Sequence, residues 1–371
     1  MNKSFLSIAL VTLTFSAYSQ KYEFQTVKDI EATPVISQDI TGTCWSFSTT
    51  SFLEAEIIRE TGKAIDLSEM YNVRETYNKK AWNYVMRQGK AQFGEGGLAH
   101  DVINSAAENG IVPESAYTGL TGDAKKHNHS KMAEDLEKLL KTYTDPGKKL
   151  SPEWKTEVAK ILDAGIGAPI TEFTYEGKKY TPKSFLEMTK LNLKDYVTIT
   201  SYTNEPYYQP FILDIPDNFS NGSFYNLPLD EYVQNIDNAI DNGYTVALDT
   251  DVSEDTFSGK YGVAVMPANP ADNKTILSEI KPEKEITANF RQAEFENFDT
   301  TDDHLMHIVG KVKDQKGNIY YKVKNSWGSD KAKVANGGYV YMSVPYLKLK
   351  SISVLVHKNG LIKKTKKELG V

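Results

Sequence analysis

The stretch Gln38-Asp39-Ile40-Thr41-Gly42-Thr43-Cys44-Trp45-Ser46-Phe47 holds the only cysteine in 371 residues, at the point where the pattern turns helical. From Ser46 onward, Phe47, Phe52, Leu53, Ile57 and Ile58 are apolar among Ser, Thr and Glu, which predicts a helix opening at the cysteine. A thiol at a helix N-terminus meets unpaired N–H groups and the positive end of the dipole, and both favour the nucleophilic thiolate. Gln38, six residues upstream, offers a side-chain N–H that can return to the same place and hold a developing oxyanion. A lone cysteine is more often a small buried hydrophobe. Here the flanking residues favour the reactive reading.

A second group of residues lies far downstream. Asp302-Asp303-His304-Leu305-Met306-His307-Ile308-Val309-Gly310 reads as a strand entered from a polar loop, and Tyr320-Tyr321-Lys322-Val323-Lys324-Asn325-Ser326-Trp327-Gly328 as a strand ending in a turn. A cysteine nucleophile needs a general base within hydrogen-bond reach, and the base needs a third group to fix its ring. His304 at one strand start and Asn325 at the end of the next meet that geometry if the strands pair, with Trp327 covering their bond from water. Residues three apart in a strand face opposite sides, so only one of His304 and His307 can look at Cys44.

Cys, then His, then Asn, with Gln before the Cys and Trp after the Asn, resembles the papain-like cysteine peptidases. Leu67-Ser68-Glu69 is similar to that superfamily's segment after the Cys helix, Gly94-Glu95-Gly96-Gly97 to its glycine loop beside the substrate cleft, and Asn336-Gly337-Gly338-Tyr339-Val340 to the strand after the Asn. Thr43-Cys44-Trp45-Ser46-Phe47, the long insertion before the His, and Gly243-Tyr244-Thr245-Val246-Ala247-Leu248-Asp249-Thr250-Asp251-Val252 resemble the bleomycin hydrolase and aminopeptidase C branch. The resemblance implies an α+β fold: a helical half carrying the Cys helix, packed on an antiparallel β half carrying His and Asn, with a largely helical insertion.

It also implies Cys44, His304, Asn325 and Gln38 as catalytic residues. Gly96, Gly97, Asp303 and Trp327 are expected along the substrate. The family pattern places the base five residues before Val-Gly, which selects His304 and leaves His307 as a packed or surface residue. Asp303 either touches the Cys44 loop or is solvated. No metal or organic cofactor is called for, and His127 and His129, with Asn128 between them, read as a polar loop.

At the N-terminus, Lys3 precedes an apolar run from Phe5 to Phe15, and Ala17-Tyr18-Ser19 supplies small residues before Gln20. That pattern predicts a secretory signal peptide over 1–19 and an exported protein, periplasmic or secreted. No later stretch is apolar for long enough to span a membrane. The single cysteine has no partner for a disulfide, so the fold rests on its core. With 40% hydrophobic and 25% charged residues the composition is that of a globular enzyme, and a net charge of −6 argues against a nucleic-acid surface.

Organisation follows a two-halved plan within a peptidase domain over 20–371. Residues from about 22 to 120 carry Cys44 and a helix over Ala99–Asn109. The insertion, from about 121 to 235, reads as helices over Lys131–Lys141 and Glu153–Leu162 separated by Pro146-Gly147, then a hairpin over Phe173–Tyr180. From about 236 to 371 the chain supplies the β half, with a helix over Leu229–Ile240 leading into it.

The expected activity is hydrolysis of peptide bonds, with peptides as substrates and an aminopeptidase favoured by the whole-chain resemblance. In that branch a C-terminal arm lies in the cleft and its carboxylate fixes the substrate's amine, and relatives form hexamers, so a homo-oligomer stays open. The tail here is shorter than that arm. The Val371 carboxylate, an acidic side chain from the insertion, and the loop around Glu95 are the alternatives for meeting the amine. A papain-like endopeptidase and a non-catalytic binding protein on the same scaffold are the competing readings. Acyl transfer by the same thiol is a third, against which the Asn-Ser-Trp-Gly turn speaks.

Overall fold

The computed structural model describes residues 21–144, 147 and 149–371. The expected signal peptide lies outside the described residues, as does Pro146 of the expected helix break. In chain order the elements are β1 (Gln25–Asp29), α1 (Cys44–Thr61), α2 (Glu69–Met86), α3 (Ala99–Asn109), α4 (Ser130–Tyr143), α5 (Trp154–Ile166), β2 (Phe173–Tyr175), β3 (Lys178–Tyr180) and α6 (Pro182–Thr189). There follow β4 (Tyr196–Thr200), β5 (Pro210–Ile212), β6 (Ser223–Asn226), α7 (Leu229–Asp241), β7 (Val246–Thr250), β8 (Phe257–Ser258), β9 (Val263–Ala264) and α8 (Ala288–Glu296). The chain closes with β10 (His304–Lys313), β11 (Ile319–Lys324), β12 (Tyr339–Ser343), α9 (Val344–Lys350), β13 (Ser351–His357) and α10 (Lys363–Leu369).

Eleven strands form one sheet in the order β5-β6-β4-β13-β7-β10-β11-β12-β9-β8, with β1 pairing the far end of β10. Pairing is antiparallel except between β4 and β6 and between β12 and β9. The α+β architecture read from the sequence is present. β10 is long enough to serve two neighbours along one edge, β11 taking the other: its start, His304–Ile308, pairs β7, while Gly310–Lys313 pairs β1. β4, β5 and β6 come from the middle of the chain and extend the sheet beyond β13, while α4 and α5 bury Leu136, Leu140, Trp154, Val158 and Leu162 in the same core as α1.

The sheet separates two cores. On one face Phe52, Leu53 and Ile57 of α1 pack with α2 and α3 and with Leu305, Ala247 and Leu355 of the sheet. On the other, Ile236 and Ile240 of α7 and Leu347 of α9 pack on Met306, Ile308, Leu248 and Val354. Alternate residues of β10 thus feed opposite cores, as the pleat requires. Each such side chain contributes roughly 1.5–3 kcal/mol by leaving water.

The helix ends follow from local chemistry. Ser68, Thr181 and Ser343 accept the N–H three residues on at the starts of α2, α6 and α9, satisfying donors the helix leaves open. Proline in the first turn of α6 and α9 lacks an N–H that would need a partner there. Gly62, at φ 70°, stops α1.

α1 is buried around most of its circumference, and small hydroxyl residues let it approach the sheet closely. Ser48, one turn into the helix, donates Oγ to the Met306 carbonyl at 2.6 Å, and Ser51 meets His307 Nδ1 at 2.9 Å. The Cys44 end of the helix is held against the start of β10 by these contacts.

Candidate active site

Cys44 is the first residue of α1. Thr43 precedes it without a side-chain cap to the helix, its hydroxyl engaging Thr41 Oγ1 at 2.6 Å instead. The first N–H groups of α1 therefore stay unclaimed by a capping side chain, and a developing negative charge beside the sulfur has donors at hand. The thiol lies near the Leu305 backbone, which places it beside the start of β10.

His304 opens β10 and Asn325 follows β11 directly; the two strands are antiparallel neighbours, as the sequence reading required. Asn325 Oδ1 stands 2.8 Å from His304 Nε2 and also accepts the Ser326 N–H at 2.7 Å. With Oδ1 accepting from both, Nε2 carries the ring proton and Nδ1 is left as the basic nitrogen. The indole of Trp327 lies against the imidazole at 5.0 Å between centroids, and Phe257 meets the indole edge-on. His304 and Asn325 are both buried, and Trp327 is partly exposed above them.

A short clamp brings Gln38 to the same place. Gln38 N donates to the Ser326 carbonyl at 2.8 Å, Ser37 bridges Trp327, and Gly328 N donates to the Ile36 carbonyl at 3.1 Å. The segment before Cys44 is thereby pinned to the turn after Asn325. Gln38 Oε1 accepts from Ser326 Oγ at 2.6 Å and Nε2 donates to the Thr41 carbonyl at 2.7 Å, which fixes the amide and leaves one Nε2 hydrogen to offer. Gly338 supports the turn from behind. Its carbonyl accepts the Asn325 N–H at 3.3 Å, and at φ 94° a side chain there would strike the Gly328 carbonyl.

The glycine loop borders the Cys44 loop. Glu95 accepts the Gly42 N–H at 2.7 Å through its carboxylate and the Trp45 indole N–H at 2.9 Å through its carbonyl. Gly97 lies flat on the Trp45 ring, and a side chain on Gly96 would overlap the Asp217 carboxylate.

The Peptidase C1-like family model matches residues 8–370. The chain belongs to that family. It is therefore a papain-like cysteine peptidase. Aminopeptidase G of Lactobacillus delbrueckii subsp. lactis is 26% identical over 372 residues, covering 89% of this chain and 82% of that protein. Cysteine proteinase 1 of Entamoeba histolytica is 27% identical over 158 residues, 41% of this chain and 46% of that protein. In fold the chain is similar to the crystal structure of PepW from Lactobacillus rhamnosis, with a TM-score of 0.74 at 18% identity, covering 93% of this chain and 84% of that one.

In this Peptidase C1-like chain the surroundings of the sulfur oppose the thiolate that its helix-end position favours. Burial pushes the Cys44 thiol up to about 12; the Leu305 backbone opposes this, and Asp302, Asp217 and Asp249 add to it. Burial also pushes His304 down to about 4, against the pull of its bond to Asn325. The helix end favours the thiolate, but desolvation and three nearby carboxyls outweigh it. Both shifts favour the uncharged forms, the thiol and the neutral imidazole.

Two other expected positions resolve clearly. His307 faces α1, away from His304, and is fully buried with Nδ1 on Ser51, while Lys324 Nζ donates to the same Ser51 hydroxyl at 2.7 Å. Asp303 turns outward: it accepts from Thr301 Oγ1 at 2.8 Å and from Val252 N at 3.4 Å. Neither of these partners belongs to the Cys44 loop. Sequence reasoning passed over Asp217, Asp249 and Asp302, which lie far apart in the chain and carry no local signature.

Proposed function

We propose that this peptidase is an aminopeptidase acting through Cys44, His304 and Asn325, and that it is exported. The observation that carries the reading is the His304–Asn325 hydrogen bond, formed beside a cysteine at an uncapped helix start and clamped to Gln38. The aminopeptidase assignment is supported by the relative named aminopeptidase G, matched over most of both chains. Export is supported by the charged, apolar and small-residue succession over residues 1–19.

The reaction follows from the charge states. As Cys44 Sγ forms its bond to the substrate carbonyl carbon, the thiol proton passes to His304 Nδ1, and the carbonyl π electrons move onto oxygen. The free Gln38 Nε2 hydrogen and the Cys44 backbone N–H receive that oxyanion. Collapse of the tetrahedral intermediate breaks the C–N bond, and the imidazolium hands its proton to the leaving amine. Water then attacks the thioester with His304 as base, and the sulfur leaves as the thiol. Asn325 holds the imidazole in one tautomer throughout and stabilises its charged form.

The test is turnover of amino-acid amides with free and with acetylated amino groups, by wild type and Cys44→Ala. Hydrolysis of the free-amine amides that vanishes in folded Cys44→Ala is expected. An active Cys44→Ala enzyme removes the nucleophile assignment, and efficient cleavage inside blocked peptides replaces the aminopeptidase by an endopeptidase. A mature N-terminus at Gln20 in the exported fraction tests export.

A further inference from the structure

An enzyme that removes only the first residue of a peptide needs a wall where a longer chain would continue past its nucleophile. The C-terminal segment does not build it. α10 docks on α7, where Thr365 donates to Glu231 and accepts from Asn235, and Leu369 and Val371 pack against the core on the face of the sheet opposite α1.

The loop over residues 213–222, between β5 and β6, lies on the Cys44 side instead, where Leu213 anchors it in the core that α1 shares. Its own hydrogen bonds fix its shape. Asn218, 6% exposed, donates through Nδ2 to the Leu213 carbonyl at 2.9 Å and to the Gly222 carbonyl at 3.1 Å, and its Oδ1 accepts the Gly222 N–H at 2.7 Å. One buried amide thus ties both ends of the loop together. A loop packed by its own side chains in this way is a compact body rather than an open strand.

This body rests on the segment between α2 and α3. Ser220 donates Oγ to Asp101 Oδ1 at 2.6 Å, so its 2.9 Å contact with His100 Nε2 is a bond donated by the ring. Gly222 lets the chain pass against that imidazole, where a Cβ would strike the ring. Lys80 Nζ lies 5.2 Å from the centroid of the Phe219 ring, and Gln92 Nε2 reaches Asp217 Oδ1 at 3.4 Å. The same loop covers Gly96, on which a Cβ would overlap the Asp217 carboxylate. The neighbours of Gly96 are held to the Cys44 segment, Glu95 by Gly42 and Trp45 and Gly97 by the Trp45 ring. Gly96 is expected along the substrate, yet its carbonyl is taken by Lys80 Nζ and its open face by Asp217.

We propose that residues 213–222 are the specificity-determining element of this peptidase, a wall seated over Gly96 that ends the substrate path on that side of Cys44. This deepens the aminopeptidase reading, on which it rests. The effect is steric. A peptide extended on the amino side of the residue that Cys44 attacks runs toward Gly96, and there it meets Asp217 and Phe219 in place of a free glycine edge. A clash of this kind rejects extended chains whatever their side chains, while a free amino terminus fits because nothing follows it.

The experiment follows Cys44 alkylation of the full-length protein by intact mass. The reagents are leucine chloromethyl ketone, acetyl-alanyl-alanyl-leucine chloromethyl ketone, and iodoacetamide as the one that needs no peptide path. Wild type is compared with two variants. One combines Asp217→Gly with Phe219→Gly, keeping Asn218 and Leu213 and with them the loop's framework. The other replaces residues 213–222 by Asn-Gly, a two-residue turn that closes the Ile212–Ser223 pair directly. Relative to iodoacetamide, wild type should react with the short ketone at least about a hundredfold faster than with the extended one, and in the variants the gap should shrink to about tenfold or less. Equal labelling of wild type by both ketones overturns the proposal. So does a gap unchanged in a double variant that still melts cooperatively, and if wild type then trims free-amine amides, the aminopeptidase reading stands without this wall. If the gap closes as expected while wild type leaves free-amine amides intact, the wall stands and the aminopeptidase reading falls.

Discussion

The Trp327 indole lies over the His304 imidazole, ring centroids 5.0 Å apart and planes tilted by 33°, on the same ring whose Nε2 is bonded to Asn325. It shields that hydrogen bond from water, and a shielded bond to a charged donor is worth more than a hydrated one. Trp327 is 41% exposed, so Trp327→Ala leaves the fold in place. We expect kcat/KM to fall about tenfold, which is the loss of roughly 1.4 kcal/mol of transition-state stabilisation. Steady-state kinetics beside an unchanged melting curve checks this.

His304 and His307 separate function from packing. His304→Ala should reduce turnover about as far as Cys44→Ala does, because groups that act as a unit are not additive. His307→Ala removes a buried ring and its bond to Ser51, lowering stability by about 1–3 kcal/mol while turnover stays within a few-fold. Denaturant unfolding and kinetics on the two variants decide it. A reversed result places the base at His307.

Gln38→Ala deletes the proposed oxyanion donor together with the bonds to Ser326 and Thr41. Removing one such donor lowers kcat by about 10²–10³ in comparable sites. KM should change less. An effect confined to KM would move Gln38 from the oxyanion to substrate binding.

The pH dependence of thiol alkylation reads the resting charge state. Burial pushes Cys44 up to about 12 and His304 down to about 4, and both shifts favour a protonated sulfur beside a neutral imidazole. The iodoacetamide rate of the free enzyme should therefore climb with each pH step from 6 to 10. A thiolate–imidazolium pair would instead give a plateau from acid to neutral pH. Removing a nearby negative charge favours the thiolate, so Asp302→Asn should alkylate faster than wild type at a given pH.

Gly338 is the backbone weak point of the site. Its φ of 94° and its approach to the Gly328 carbonyl leave no room for a methyl group. Gly338→Ala should cost at least about 1–3 kcal/mol and loosen the turn that holds Asn325. Thermal melting and kcat together test whether stability and activity fall in step.

How much of this was legible in the sequence depended on whether the signal was local. α3 runs over the Ala99–Asn109 range expected from its apolar spacing and its closing Gly110, and the Phe173–Tyr180 hairpin follows from Glu176-Gly177. The antiparallel pairing that brings His304 to Asn325 was readable because the two strands are consecutive. α2 was not seen, because its buried face includes Tyr71, Asn72, Arg74, Thr76 and Lys80, polar residues that mask a helical hydrophobic period. β1 is short and mostly exposed, with little burial to give it a pattern. The carboxyls around the thiol were invisible for a different reason: Asp217, Asp249 and Asp302 meet only through sheet register and a loop crossing. For the same reason the helix-end argument for a thiolate overlooked what surrounds the sulfur.

The solitary cysteine has a practical consequence. Because Cys44 is the chain's one thiol and stands at the start of α1, a mass shift from any thiol-selective reagent reports on this position alone. Label incorporated per chain then counts competent centres directly, without background from other sulfhydryls. Protection by a bound amine can be followed on the intact protein without tryptic mapping.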